Sequence, residues 1–276
     1  MAGFIKSLIL ILVFVLFASN QSFAGLIVER EKYEQNNSQR VKATIYIQEN
    51  KMKFFDEQGQ FYAIFDLNSG QMIQVDNVSR TYSTTKAEDY FDYYKQYAKK
   101  MESAMREQLS ELPPNKRAQA EAMMKRQGIN MPANNPGSSE ITVKRTGDTS
   151  KVAGYESAKY EIYKDGQLYE ELWVTSDERF ANELDLNKMS KYLSELTQIE
   201  HNFLTNNNSS DEIEKAYIEV FKSGFPMKII DYPKYGNAIV ENTAKVSNKN
   251  IDSAEFEAPL GYKKVELEEM LQLGSQ

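Results

Sequence analysis

The chain has 276 residues, with 33 Lys and Arg against 40 Asp and Glu, and a formal net charge of −7. This acidic balance disfavours binding to nucleic acid and to anionic membrane surfaces. The chain has no cysteine and a single histidine, His201. These counts exclude disulfides, thiolate catalysis, and metal sites built from cysteines or from several histidines.

The first 24 residues have the pattern of a cleavable secretion signal. Lys6 supplies a positive charge, an apolar run extends over residues 8–18, and the small residues Ser22 and Ala24 precede a cut before Gly25. A membrane span needs about 20 apolar residues, so this run is too short for one. We expect cleavage after Ala24, leaving residues 25–276 as one domain with no stable membrane anchor. The missing cysteine also excludes a lipid attached after cleavage.

Period-two alternation follows from Leu26 to Tyr82, with turn residues at 56–59 and 68–70. This pattern predicts about six short antiparallel strands, among them 51–56, 71–76 and 79–84.

The period changes to three and four at Lys86. Apolar residues at this spacing predict a helix of about seven turns, which ends before Pro113 and Pro114. A second helix is expected from Pro114 to Gln127, closed by Gly128, and a loop is expected over 130–139. We interpret residues 86–130 as a helical hairpin inserted into a β-protein.

Strands are predicted again from Glu140, and Asp165-Gly166 between two alternating runs indicates a tight hairpin. Two more helices are expected, one over 186–203 and one from Ser210 or Asp211 to Gly224, joined by a polar loop. A last hairpin pairs 225–232 with 238–247, and 263–272 is predicted to be a terminal helix. The predicted fold is α+β: a strongly curved antiparallel sheet, or half-barrel, covered by inserted helices.

Several segments carry a resemblance to a known group of exported proteins. They are Ile45–Lys53, Phe65–Asp76, Arg80–Tyr82, Val152–Tyr160, Glu171–Val174, Gly224–Lys228 and Phe256–Tyr262. The chain resembles the LolA-type lipoprotein carriers and the LppX-like proteins, and more closely an uncharacterised exported bacterial family that shares their incomplete β-barrel. The resemblance implies a periplasmic location and an apolar cavity between sheet and helices that receives acyl chains. The long hairpin at 86–130 departs from the carriers.

The candidate ligand-binding residues lie mostly on the predicted hairpin. Flexible methionines beside aromatic rings suit variable apolar ligands, although apolar residues at helical spacing are usually core. The candidates are Tyr90, Tyr94, Tyr97, Met101, Met105, Met123, Met124 and Trp173.

No catalytic motif is present. Glu170 and Glu171 are adjacent on a strand and must point to opposite faces, Asp177-Glu178 lies in a predicted turn, and His201 lacks the partners of a catalytic triad. We therefore expect no enzyme activity, no metal and no cofactor.

The first hypothesis is a non-catalytic binding protein for a lipid or other apolar ligand, with an inward sheet face that is apolar and strongly aromatic. The second is a structural or interaction protein that has a self-filled core and binds envelope proteins. The third is an enzyme with dispersed catalytic residues.

Overall fold

The computed structural model describes residues 25–55, 58–126, 140–205, 210–233 and 236–273. The predicted signal peptide, the end of the second helix at Gly128, the loop over 130–139 and most of the loop before Ser210 lie outside these ranges.

Six strands occupy the first part of the described chain, as the alternation predicts. They are β1 (Leu26–Glu34), β2 (Val41–Gln48), β3 (Lys51–Phe55), β4 (Phe61–Asp66), β5 (Gln71–Asp76) and β6 (Thr81–Lys86). Each pairs antiparallel with the next along the chain, so together they form a meander.

Two helices follow at the predicted positions, α1 (Ala87–Glu111) and α2 (Pro114–Arg126). The last carbonyls of a helix have no partner within it. Arg117 of α2 supplies partners for α1, because its Nε donates to the Leu109 carbonyl at 2.8 Å and its Nη2 donates to the Ser110 carbonyl at 2.6 Å. The junction between the two helices is thus held by one side chain.

The second half of the chain contributes strands and helices in alternating groups. They are β7 (Ile141–Val152), β8 (Tyr155–Lys164), β9 (Gln167–Thr175), α3 (Glu178–Glu183), α4 (Leu186–Thr205), α5 (Ser210–Lys222), β10 (Phe225–Asp231), β11 (Ile239–Asn248), β12 (Lys263–Lys264) and α6 (Leu267–Leu273). The predicted β8–β9 hairpin is confirmed: Asp165 and Gly166 have φ values of 52° and 74°, which match a two-residue turn with both residues left-handed.

Two predictions about local structure are wrong. The segment after Asp177 is the short helix α3 rather than a turn, because the Asp177 carboxylate caps the backbone N–H of Arg179 at 3.0 Å. The terminal helix begins only at Leu267, since Lys263 and Lys264 form a parallel pair with Thr81 and Tyr82 of β6.

The strands form one large, mostly antiparallel sheet in the order β12-β6-β5-β4-β3-β2-β1-β11-β10-β9-β8-β7. Within the described residues β12 and β7 are its two edges, and no pairing joins them. This unclosed sheet with its helices confirms the α+β class and is consistent with a half-barrel. No helix in the described ranges has the length and apolar character needed to cross a bilayer.

Three cores lie on the sheet. The largest contains residues of β1–β5 with Phe91 of α1, Phe180 of α3 and Met189 of α4. A second packs α5 on β8 and β9. The third lies under the segment around Ile251 and Phe256, on the other side of β4 and β5. Alternation along each strand places the first and third cores on opposite faces.

Candidate functional site

The side of β11 and β1–β6 that packs against α1 and α4 is the candidate site, and we call it the interior face. Its residues form cross-strand rows, because directly paired residues point to the same side of a sheet. One row is apolar and at most 6% exposed; it consists of Leu26, Ile47, Met52, Phe65 and Met72. This row defines the closed end of the interior face.

Hydrogen bonds fasten the closed end. The β2–β3 turn contacts the junction of α3 and α4: the N–H of Asn50 donates to the Glu183 carbonyl at 2.8 Å, and the N–H of Glu49 donates to the Glu183 carboxylate at 2.9 Å. The N–H of Asp185 donates to the Asn50 side-chain oxygen at 2.5 Å. Above this end, the ring of Tyr192 lies 4.5 Å from that of Phe65 and 6.3 Å from that of Phe91.

The next row, which we call the middle row, is less completely covered. It consists of Val28, Ile45, Phe54, Ala63, Gln74 and Ser83. Phe54 and Ala63 are only half-buried, although Val28 is fully buried. The Gln74 side-chain oxygen is buried without a hydrogen-bond partner in the described part of the chain. Tyr90 of α1 lies over this row, and burial, followed by contact with Tyr94, raises the pKa of its hydroxyl.

Polar side chains enter the interior face one row further along. Arg30 follows Leu26 and Val28 in the alternation of β1 and pairs with Thr243 on one side and Ala43 on the other. The Nε and Nη2 atoms of Arg30 and the Oγ1 atom of Thr243 are buried, and within the described residues they have no hydrogen-bond partner. The prediction of an apolar and aromatic inward face is therefore wrong at this end.

The strand ends beyond Arg30 form the open end of the interior face. Lys32 pairs there with Val41 and with Glu241, whose carboxylate lies 2.8 Å from the Lys32 Nζ. A shallow cavity of about 520 Å³, largely open to solvent, lies at this end. Its lining includes Lys32, Glu34, Val41, Ile239 and residues of the two adjoining turns.

Charge at the open end is shared among neighbouring strands. Burial alone would raise the pKa of Glu241, but Arg30 and Lys32 together hold it below its ordinary value. Burial lowers the pKa of Arg30, and the attraction of Glu241 offsets this only in part. The Arg30 Nη2 atom is 3.8 Å from Glu241, which is an ion-pair distance and not a hydrogen bond.

A buried carboxyl group lies on the same face of β9, two strands from β11. Glu170 is 4% exposed, accepts a hydrogen bond from the Tyr217 hydroxyl of α5, and pairs across strands with Asp231. Burial, followed by the charge of Asp231, raises its pKa well above the ordinary value. Glu171 points the other way, as alternation requires, and contacts Lys159 at 3.1 Å.

A second cavity, of about 310 Å³, lies on the opposite face of the sheet. Lys51, Ile64, Asp66 and Phe256 are among the residues that line it. Across the described residues, no group of three or more His, Asp or Glu side chains is arranged to hold a metal ion.

The predicted ligand-binding residues are dispersed. Tyr90 and Tyr94 are half-buried with ring centroids 4.7 Å apart, whereas Tyr97 is 40% exposed and stacks on Tyr93. Met105 is half-buried in the same helix. Met101 belongs to α1 too, but its side chain is not among the described ones.

The remaining candidates lie on other elements. Met123 of α2 is 61% exposed and Met124 is half-buried. Trp173 of β9 packs against the largest core, and its buried Nε1 has no hydrogen-bond partner in the described ranges. Among the hairpin candidates whose side chains are described, Tyr90 packs on the interior face and Tyr94 contacts the Tyr90 ring.

The polar groups of the interior face were missed in the sequence. Arg30 stands at a core-facing position of an alternating strand, and that break in the pattern is the signal that could have found it. Thr243 and Gln74 leave no comparable signal, because short polar residues are common on half-buried strands.

Distant solved structures are similar over most of this chain. They include PNGF-II, with a TM-score of 0.42, 8% identity, and 91% of this chain and 32% of that chain covered. An uncharacterised conserved protein from Thermus thermophilus has a TM-score of 0.41 and 6% identity, and the match covers 89% of this chain and 91% of that chain. MucB in complex with MucA(peri) has a TM-score of 0.39 and 8% identity, and the match covers 88% of this chain and 57% of that chain.

The chain thus spans about a third of the PNGF-II chain and somewhat more than half of the MucB chain. At these TM-scores the similarities carry no inference about activity. Comparison with curated protein sequences gives no match. A family model matches residues 95–262, which is more than half of the chain, and the protein therefore belongs to the family described as Domain of unknown function (DUF4412).

Proposed function

We propose that this protein is an exported, non-catalytic binding protein of the bacterial periplasm. It holds an apolar ligand, such as the acyl chain of a lipid, between a strongly curved sheet and the helices that cover its interior face. The signal pattern of residues 1–24 supports export, and the resemblance to lipoprotein carriers supports the ligand class.

The gradient along the interior face is the observation that carries this proposal. The row at the closed end is apolar and at most 6% exposed, the next row contains the half-buried Phe54 and Ala63, and the open end has charged groups beside a cavity of about 520 Å³. An apolar interior that becomes polar at one mouth suits a ligand that enters from that mouth.

Helix α1 is the element that we expect to yield to the ligand. Tyr90 packs on the middle row, Tyr94 contacts the Tyr90 ring, and both are only half-buried. Moving them away costs less buried apolar area than moving Phe91, which is 1% exposed. The middle row therefore provides the ligand space, and the closed end remains packed.

The alternative is an envelope interaction protein with a self-filled core. The contacts of Tyr192 with Phe65 and Phe91 favour it, because they fill the closed end with the protein's own rings. Under this alternative no lipid is bound, and the protein's surface makes the functional contacts with envelope proteins.

Lipid extraction and native mass spectrometry of the purified mature chain separate the two functions. The binding function predicts a co-purifying lipid and a response to a fluorescent fatty acid. Ala63→Leu, which fills the middle row, is expected to weaken that response several-fold, whereas Ala118→Leu on the exposed surface of α2 is its matched control. A native mass that corresponds to the protein without lipid, together with no change in the fluorescence of the fatty acid, would favour the self-filled core.

A further inference from the structure

Arg30 presents an unsatisfied pair of donors to the interior of the protein. Its Nε and Nη2 atoms form one lateral edge of the guanidinium, and both are buried without a hydrogen-bond partner among the described residues. A buried charge without hydrogen bonds is costly, and proteins usually pair it. The two parallel N–H groups of this edge match the two oxygens of a carboxylate or a phosphate.

Thr243 supplies a second unsatisfied group at the same place. It is the cross-strand partner of Arg30 on β11, is 1% exposed, and has a buried Oγ1 without a hydrogen-bond partner in the described chain. On the other side of Arg30 stands Ala43, whose side chain is small. Arg30 and Thr243 are thus direct cross-strand neighbours on the interior face, and each has a buried polar group without a partner in the described chain.

Glu241 does not accept a hydrogen bond from the Arg30 guanidinium. Its carboxylate is 2.8 Å from the Lys32 Nζ but 3.8 Å from the Arg30 Nη2, so its close partner is Lys32. The other acidic groups nearby, Glu170 and Asp231, face the same side from β9 and β10 and are paired with each other across the strands.

From this arrangement we infer that the bound ligand is an acidic amphiphile, whose carboxylate or phosphate head accepts hydrogen bonds from the Arg30 edge and the Thr243 hydroxyl. This inference rests on the proposed function and names the head group that the apolar ligand carries. Lys32, one pleat closer to the open end, adds positive charge at the mouth through which the ligand enters.

The apolar rows distinguish an amphiphile from a small free anion. Leu26, Val28 and Arg30 point to the same face of one strand, so the acidic head lies about 13 Å from the closed end. Between them the interior face is apolar, with Ile45 and Phe54 on the adjacent strands. A chain attached to the head would lie along this surface, which inorganic phosphate would leave empty.

Binding of palmitate and of hexadecanol to the purified mature chain tests the head group. The two ligands share one apolar chain and differ in charge, so wild-type protein should bind palmitate at least tenfold more tightly. Arg30→Gln should weaken palmitate binding about ten- to a hundredfold, the loss expected for hydrogen bonds to a charged group, and should weaken hexadecanol binding much less, because a neutral hydroxyl forms no ion pair with Arg30.

Two further variants guard against misfolding and non-specific charge effects. Thr243→Val keeps the shape, removes the unpartnered hydroxyl, and should raise the thermal midpoint while weakening palmitate binding about tenfold or less. Lys245→Gln is the matched control, because Lys245 pairs with Glu29 one position away on the opposite face and should not affect palmitate.

The outcomes separate the two proposals. If neither palmitate nor hexadecanol binds, the proposed function itself fails. If both bind equally and Arg30→Gln changes neither, the apolar site stands and the acidic head is refuted. If inorganic phosphate binds as tightly as palmitate and is lost in Arg30→Gln, the ligand is a small anion and the amphiphile is refuted.

Discussion

Replacing Glu170 by Gln should make the protein less sensitive to rising pH. Glu170 is 4% exposed and accepts a hydrogen bond from the Tyr217 hydroxyl. Its pKa lies well above the ordinary value, first because of burial and second because of the nearby charge of Asp231. Between its ordinary pKa and its raised pKa, the folded protein keeps a proton that the unfolded chain has released. A rise in pH then favours the unfolded chain, so this residue's contribution to stability falls with pH across that window.

The size of the effect follows from proton linkage. One proton held only by the folded state changes the free energy of unfolding by about 1 kcal/mol for each pH unit. Gln keeps the shape of the protonated carboxyl, can donate to Asp231 and can accept from Tyr217, and does not titrate. The stability difference between Glu170→Gln and wild type should therefore grow in favour of the variant as the pH rises above the ordinary pKa of a glutamate.

Urea denaturation followed by Trp173 fluorescence at several pH values measures this difference, because Trp173 is the only tryptophan and lies three residues away on β9. Glu171→Gln is the control: its side chain lies on the opposite face beside Lys159, and its stability difference should not grow with pH in this way. Parallel pH profiles for wild type and Glu170→Gln would refute the assignment of a protonated buried carboxyl.

Three substitutions test the packing, each by urea denaturation. Phe91→Ala, which empties a site that is 1% exposed, should cost about 3–5 kcal/mol, and a loss below 1 kcal/mol would contradict its place in the core. Gly224→Ala would place a Cβ against the Thr175 carbonyl, well inside van der Waals contact, so it should cost more than about 2 kcal/mol; a neutral result would contradict the close approach. Asp177→Ala removes the cap of α3 and its pair with Arg179 and should cost about 1 kcal/mol, with an unchanged midpoint as the contrary result.

The local structure was largely predictable from the sequence. Alternation in the first six strands, the change of period at Lys86 and the Asp165-Gly166 turn all act within a few residues, and the elements that they predict are present. The errors at Asp177 and Lys263 are instructive. Helix α3, which follows Asp177, depends on a single cap. Lys263 and Lys264 form a strand because the backbone of β6 pairs with them.

The candidate site was predictable only in part. Helical spacing places Tyr90 on the interior face with Tyr94 against its ring, but Tyr97 and Met123 are exposed. The predicted hairpin has more apolar surface than the sheet covers, and the sequence does not state which part of a long helix meets its partner. Tertiary packing decided which part of the helix is covered.

The sequence by itself determined most of the secondary structure, the lack of thiol chemistry and the signal pattern, because each depends on residue type or short-range spacing. Only the tertiary structure placed Arg30 opposite Thr243, which lies far along the chain, and left their polar atoms without hydrogen-bond partners among the described residues. The same is true of Glu170 beside Asp231 and Tyr217. Strand pairing between distant segments creates such neighbours, and no local pattern records which strands will pair.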